Sequence, residues 1–270
     1  MNKVGGRIKR ALIVLIIIYC VGGLVLYFAQ GLILFHPQPL GRNYHFKFEQ
    51  PFEELNIPYG KNNLSIVKFQ PDEKRNGIVL FYHGNMENVE HYKTYPSIFL
   101  KNNQEIWMID YPGFGKSTGK RTEKIMDDEA LLMYDMALKQ TSSDSIIIYG
   151  KSLGTGIATQ LASVKDCKRL ILESPYYSLS NLAAYYCWMY PVDWMLRYKM
   201  LTNEYVKNVT APVTIFHGTE DETIPFSNAE KLQKESFKKE DELIPIKGGH
   251  HNDLNDFPLM KEKLDSLLML

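Results

Sequence analysis

The sequence predicts a mostly parallel, doubly wound α/β sheet in one domain, carried behind a single membrane-spanning helix. Three observations predict it: an unbroken apolar run near the N-terminus, short continuous apolar runs alternating with helix-period stretches, and a G-x-S-x-G motif between one such run and one such stretch.

The N-terminal elements come first. Lys3, Arg7, Lys9 and Arg10 place four positive charges ahead of any acidic residue. The formal charge of +0 is therefore uneven: without those four, the remainder sits near −4. Residues 1–10 read as a basic tail. Ala11 to Phe35, ALIVLIIIYCVGGLVLYFAQGLILF, has Gln30 as its only strongly polar side chain. As a helix at about 1.5 Å per residue, it exceeds the ~30 Å hydrocarbon core of a bilayer. A cleaved signal peptide fits poorly, because its apolar stretch is shorter and ends in a small-x-small site, whereas this run ends Gly-Leu-Ile-Leu-Phe-His-Pro. Bulky Tyr19 before Cys20 argues against a lipoprotein site. Residues 11–35 are thus expected to be an uncleaved signal-anchor contacting the lipid bilayer. The basic tail is expected in the cytoplasm, and the bulk of the chain on the other side, periplasmic if the source is bacterial. Residues 36–50 read as a polar, Pro-containing connector.

The domain is expected over residues 51–270. Leu55–Tyr59 and Leu64–Phe69 flank Gly60-Lys61-Asn62-Asn63 and read as an antiparallel hairpin at a sheet edge. Ile78–Tyr82, Glu105–Ile109, Ser145–Tyr149, Leu170–Leu172, Val213–Phe216 and Glu242–Ile246 follow. These are continuous rather than alternating, as strands buried on both faces of a parallel sheet should be. Thr122–Lys139, Gly154–Val164, Ser227–Phe237 and Phe257–Leu268 carry helical periodicity between them. The rhythm breaks over residues 176–209, which lack a clear strand and hold nine tyrosines and tryptophans from Tyr176 to Tyr205. This region is expected to be a helical cap over the carboxyl ends of the strands, where such sheets bind ligands.

Composition narrows the function classes. Hydrophobic residues at 45% and charged residues at 23% fit a globular chain rather than a disordered one. A zero net charge gives no electrostatic footprint for nucleic acid. Cys20, Cys167 and Cys187 show no metal-ligand spacing. Cys20 lies in the apolar run, so a disulfide would have to join Cys167 to Cys187, and nothing in the sequence supports that pairing. Gly115-Lys116-Ser117 and Gly150-Lys151-Ser152 resemble the end of a phosphate-binding loop, but Asp110 and Ser145 stand where its first glycine is required. No nucleotide, metal or other cofactor is expected.

The chemistry centres on Gly150-Lys151-Ser152-Leu153-Gly154, directly after an apolar strand and before a helical stretch. Flanking glycines permit a sharp turn that projects Oγ of Ser152 above the sheet, making it the candidate nucleophile. A serine needs a base, and the base needs an orienting carboxylate. Glu220, Asp221 and Glu222 follow a late strand, and Asp221 is the preferred acid. His250 and His251 follow the next strand; two adjacent side chains cannot both face one serine, so one of the two is the candidate base. The oxyanion donors are expected to be the N–H groups of Leu153 and of Asn85, in the loop Tyr82-His83-Gly84-Asn85-Met86. His83 reads as a turn-stabilising residue, and His36, His45 and His91 as solvent-facing.

Taken together, His83-Gly84-Asn85, Asp110 through Ser117, the Gly150–Gly154 turn, His217-Gly218 with Asp221 and Pro225, and His251-Asn252-Asp253 resemble the Bem46-like branch of the α/β-hydrolase superfamily. That branch includes the α/β-hydrolase domain-containing 13 and 17 groups. The resemblance runs from about residue 50 to the C-terminus and rests on the joint order of these pieces. It implies the α/β-hydrolase fold with Ser152 as nucleophile, Asp221 as acid and His251 as base, the family histidine standing just before Asn-Asp. An N-terminal anchor recurs in the family. Pro112 replaces a usual arginine, and His250 a usual glycine. Family activities are ester and thioester hydrolysis, with depalmitoylation in the domain-containing 17 group. That last substrate does not carry over, because those proteins face the cytosol through lipid anchors.

The expected reaction is acyl transfer from an ester or thioester to water through an acyl-enzyme, on a small-molecule or lipid-like acyl substrate. The rivals are a peptidase or amidase with the same three residues, and a non-catalytic membrane scaffold of the same fold.

Overall fold

The computed structural model describes residues 3–269; Met1, Asn2 and Leu270, the ends of the predicted tail and domain, lie outside the described residues. The chain opens with helix α1 (Lys3–Leu34), of which Gly5–Leu34 is long and apolar enough to cross a membrane, its most apolar stretch having a mean hydropathy of 2.8. The order is then β1 (His36–Pro37), β2 (Glu53–Tyr59), β3 (Asn62–Phe69), β4 (Gly77–Tyr82), β5 (Met86–Glu87), α2 (Tyr95–Leu100), β6 (Gln104–Ile109), α3 (Glu123–Leu138), β7 (Ile146–Lys151), α4 (Gly154–Val164) and β8 (Arg169–Glu173). Next come α5 (Leu179–Tyr186), α6 (Val192–Met195), α7 (Thr202–Tyr205), β9 (Val213–Gly218), α8 (Ser227–Ser236), β10 (Glu242–Ile246) and α9 (Pro258–Met269).

Among the described residues, eight strands form one sheet in the order β10-β9-β8-β7-β4-β6-β3-β2. It is parallel from β10 to β6, with β3 antiparallel to β6 and β2 antiparallel to β3 at one edge. Every residue of β4, β6, β7 and β9 is buried, which explains the lack of alternation in the sequence: both sheet faces are covered. One face packs Trp107, Ile148 and Leu170 against α3 and α4; the other packs Phe81 and Tyr149 against α2 and α9 through Phe99 and Leu264. The hairpin turn is tighter than its sequence reads, because Asn62 and Asn63 already pair with Tyr59 and Pro58.

The connector is not a free tether. His36–Pro37 pairs in parallel with Met86–Glu87, the Leu40 N–H donates to Gly115 O at 2.6 Å, and Phe46 is buried. Phe35 at the end of α1 is also buried, edge-on to Tyr198 with ring centroids 4.9 Å apart. The cap region is helical, as α5, α6 and α7 between β8 and β9, and it leans on α1 as well as on the sheet. Gln30, the stray polar residue of the apolar run, is 5% exposed and pins that contact: its amide nitrogen donates to Met195 O at 2.7 Å, and its oxygen accepts from Arg197 N at 2.8 Å. All three cysteines are free.

Candidate active site

The turn between β7 and α4 places Ser152 with φ 49°, a left-handed backbone that costs a non-glycine residue roughly 1–2 kcal/mol. Its surroundings hold it there. Ser152 N donates to Glu173 O at 2.8 Å, while Ser152 O accepts from Thr155 N at 3.0 Å and from Thr155 Oγ1 at 2.6 Å. Gly154 must lack a side chain, because a Cβ would lie 2.1 Å from the Tyr82 carbonyl oxygen.

His251 follows β10 and Asp221 follows β9. His251 Nε2 lies 2.9 Å from Ser152 Oγ, and His251 Nδ1 lies 2.7 Å from Asp221 Oδ2. With Nδ1–H given to the carboxylate, Nε2 is left as the acceptor for the serine proton. Asp221 is fixed from its other oxygen, which accepts from Thr223 N at 2.9 Å and Ile224 N at 2.7 Å. Burial alone would push the Asp221 carboxyl up. The imidazoles of His217 and His251 and the Ile224 N–H overcome that and hold it well below the usual carboxylate range. The neighbouring acids are elsewhere: Glu220 and Glu222 are exposed, and Glu222 lies 3.1 Å from His250 Nδ1. That pairing raises the His250 imidazole and holds His250 away from Ser152; the Glu222 carboxyl is lowered first by its own backbone N–H and then by His250.

Asn85 and Leu153 line the same cleft as Ser152. Among the described residues neither N–H is given to a protein acceptor, so both can be directed at a developing oxyanion. The Asn85 side chain is committed elsewhere, donating to Leu34 O at 3.1 Å, the last turn of α1. His83 is fully buried beneath this loop, with Nδ1 2.7 Å from Gly84 O. His36, His45 and His91 are exposed.

Two features of the site are not legible in its motifs. One is a buried cluster under Ser152, where Lys151 pairs with Glu173 and the carboxylate also accepts from Tyr95 and Tyr149 at 2.5–2.9 Å. Lys151 Nζ additionally reaches His251 O at 3.4 Å, joining the Ser152 turn to the histidine loop. The other is α1 itself: Ile33 and Leu34 line the Ser152 cleft of about 100 Å³, together with Leu179, Leu182, Tyr176 and Ile224. No charged side chain lines that cleft among the described residues. No group of three or more His, Cys, Asp or Glu able to hold a metal occurs among the described residues.

With this geometry in view, a family model described as serine aminopeptidase S33 matches residues 73–202, a span containing Ser152. The chain is 32% identical over 199 residues to α/β hydrolase domain-containing protein 17C of Xenopus tropicalis, covering 70% of this chain and 61% of that protein. The human protein of the same name is 31% identical, with 70% and 57% covered. The chain thus spans about 60% of the length of these relatives. A solved esterase of Pyrococcus furiosus superposes with a TM-score of 0.66 at 19% identity, covering 87% of this chain and 97% of that one, a likeness of fold.

Proposed function

The chain belongs to the α/β-hydrolase superfamily, in the branch of the domain-containing 17 proteins, and from that premise we propose that it is a membrane-anchored serine hydrolase of carboxylic esters or thioesters. The observation that carries this reading is the continuous hydrogen-bonded chain Ser152–His251–Asp221 at the strained turn.

In this mechanism His251 Nε2 takes the Ser152 proton as Oγ bonds to the acyl carbon. The carbonyl oxygen becomes an oxyanion facing the Asn85 and Leu153 N–H groups. The carbon–oxygen or carbon–sulfur bond to the leaving group then breaks, and imidazolium returns the proton to the departing alcohol or thiol. A water, deprotonated by the same histidine, attacks the acyl-enzyme and releases the carboxylic acid and free Ser152. Asp221 stays ionised throughout and stabilises the imidazolium. Helix α1 is proposed to cross the bilayer, with its basic end cytoplasmic and the hydrolase domain on the far side.

Fluorophosphonate labelling tests the chemistry. Label is expected on Ser152 of the wild type and absent from Ser152→Ala, with esterase kcat falling roughly 10⁴–10⁶-fold. Unchanged esterase activity in Ser152→Ala would overturn the reading, and failure of the wild type to label would favour a binding scaffold. The serine aminopeptidase description of the matching family favours one second reading, amide hydrolysis by the same residues. Matched ester and amide substrates separate the two.

A further inference from the structure

Two markers delimit the apolar length of α1. Arg10 is the last charged residue before the run, and Gln30 is the strongly polar residue within it. Their spacing is about 30 Å along the helix, the thickness of a bilayer's hydrocarbon core. Crossing as proposed above, α1 places Arg10 at one boundary and Gln30 at the other. Arg197 marks the second boundary again: its backbone N–H donates to Gln30, and its guanidinium lies 5.8 Å from the centre of the Tyr27 ring. Arginine and tyrosine collect at such interfaces.

The cap meets α1 inside those limits, not beyond them. Tyr19 stacks on Tyr190 of the cap with ring centroids 4.7 Å apart; Tyr19 Oη donates to Met189 O at 2.8 Å, and Tyr190 Oη donates to Tyr19 O at 3.2 Å. Tyr19 stands about 14 Å along the helix from Arg10, close to the middle of the hydrocarbon. The packing there is tight: a Cβ at Gly22 would lie 2.4 Å from Tyr190 Oη, and one at Gly23 3.1 Å from the same ring. Small residues let elements approach this closely in lipid. At the other end, the Gln30 amide bonds to Met195 O and Arg197 N. Residues 187–195 therefore lie along α1 from mid-bilayer to its far boundary, and a tilt of about 20° shortens these depths by under about a tenth.

The segment is made for that depth. Cys187–Met195 reads CWMYPVDWM, with Asp193 its only charge. Trp188 is 80% and Trp194 89% exposed, with Met189 exposed beside them, and they continue the exposed leucine, isoleucine and valine surface of α1. In hydrocarbon the backbone must satisfy itself. The N–H groups of Tyr190, Val192, Trp194 and Met195 all donate to carbonyls within residues 187–191, and Tyr19 Oη covers the Met189 carbonyl. Asp193 stands two residues from Met195, at the Gln30 level, where a carboxylate meets head groups. Lys199 Nζ donates to the Asp193 carbonyl and brings a cation to the same level.

We propose that Cys187–Met195 of the cap is a second membrane element, inserted in the far leaflet beside α1, with Trp188 and Met189 deepest and Trp194 near the leaflet surface. Its partner is the lipid bilayer; this rests on α1 crossing the membrane, part of the reading above. The domain is then sunk into one leaflet rather than suspended over it. The Ser152 cleft, lined by Ile33 and Leu34 just past Gln30, opens in the head-group layer.

The chain's three tryptophans make the test direct, because Trp107 is fully buried and only Trp188 and Trp194 can meet lipid. The full chain is reconstituted in phosphatidylcholine nanodiscs with bromine near either the carbonyl end or the methyl end of the acyl chain, and emission is compared with unbrominated discs. Bromine is expected to remove roughly half or more of the emission of the two cap tryptophans. In Trp194→Phe, where Trp188 reports, the deep bromine should quench about twofold more than the shallow one, and in Trp188→Phe the order should reverse. Leu15 is exposed within the apolar run, so Leu15→Trp in a Trp188→Phe/Trp194→Phe background reports on α1 alone. A quenched Leu15→Trp with Trp188 and Trp194 unquenched would overturn cap insertion and leave the anchor intact. An unquenched Leu15→Trp would instead remove the membrane-crossing reading, and this proposal with it. Cap tryptophans shielded from aqueous iodide yet untouched by bromine would assign the face to a second copy of the chain, which also overturns the proposal.

Discussion

The Lys151–Glu173 pair under Ser152 gives the sharpest expectation about stability. Lys151→Met keeps the length of the side chain and removes its charge. Glu173 is 0% exposed and Lys151 5%, so the carboxylate left behind cannot be rescued by water. Breaking a buried pair at one partner costs about 3–5 kcal/mol. Here Tyr95 and Tyr149 still donate to the carboxylate, each such bond to a charged group being worth about 1.5–3 kcal/mol, which places the loss near the lower end, about 3 kcal/mol. For a chain of this size that lowers Tm by roughly 6–12 °C. Adding Glu173→Gln removes the orphaned charge while keeping an acceptor for both tyrosines, so the double variant should lie within about 1 kcal/mol of the parent. Because Lys151 also reaches the His251 carbonyl, kcat should fall about tenfold in the single variant with KM little changed. Thermal melts of all four members of the cycle in detergent, with ester kinetics on each, provide the measurement. A single variant as stable as the parent, or a double variant as unstable as the sum of its parts, would refute the reasoning.

Other expectations follow from the same geometry. His251→Ala should reduce kcat by roughly 10⁴–10⁶, whereas His250→Gly should hold kcat/KM within about threefold, since His250 is paired to Glu222 at the surface. Gly154→Ala should destabilise the turn and lose fluorophosphonate labelling even though no reacting group is touched, because its Cβ would collide with the Tyr82 carbonyl; full labelling would count against the packing described. Glu129 is buried in α3 with both oxygens unpartnered among the described residues, and burial, with Asp128 adding, pushes its carboxyl up to about 8. Its folded state thus holds the proton more tightly than the unfolded chain. Its contribution is full below about pH 4.5 and is lost as pH rises through about 8. Glu129→Gln should therefore match the parent in Tm at about pH 4 and exceed it at about pH 9.5, the gap bounded at about 5 kcal/mol; equal melts at both pH values would contradict this.

Much of this was legible in the sequence because chemistry and periodicity reinforce each other. Ser152 announces itself through two glycines and the change from strand to helix, and the strands through apolar runs that burial on both faces requires. What stayed hidden has physical causes. His36–Pro37 and Met86–Glu87 pair over two residues each, too short to carry a period. The six-residue α2 is likewise too short to show one. Lys151 looked like part of a failed phosphate loop, since nothing local reveals that Glu173 arrives from the next strand. His250 and His251 are equal on the page; the loop after β10 separates them by turning one toward Asp221 and the other toward Glu222. Gln30 read as a blemish in an apolar run because its partners lie more than 160 residues away.

The docking of the chain immediately after α1 has a consequence for reach. A domain on a flexible leash samples a hemisphere above the membrane and meets substrates at any height within it. Here the leash has no slack: Leu34 O accepts from Asn85, the His36 N–H donates to Asn85 O, and Gln38 N donates to Glu87 O. Asn85, whose N–H is proposed to face the oxyanion, is thus clasped by the end of α1. With α1 in a bilayer as proposed, Ser152 is set at one standoff from the hydrocarbon, and a scissile bond is selected by its depth before its chemistry. Slack inserted at residue 35 would turn a depth gauge into a tether.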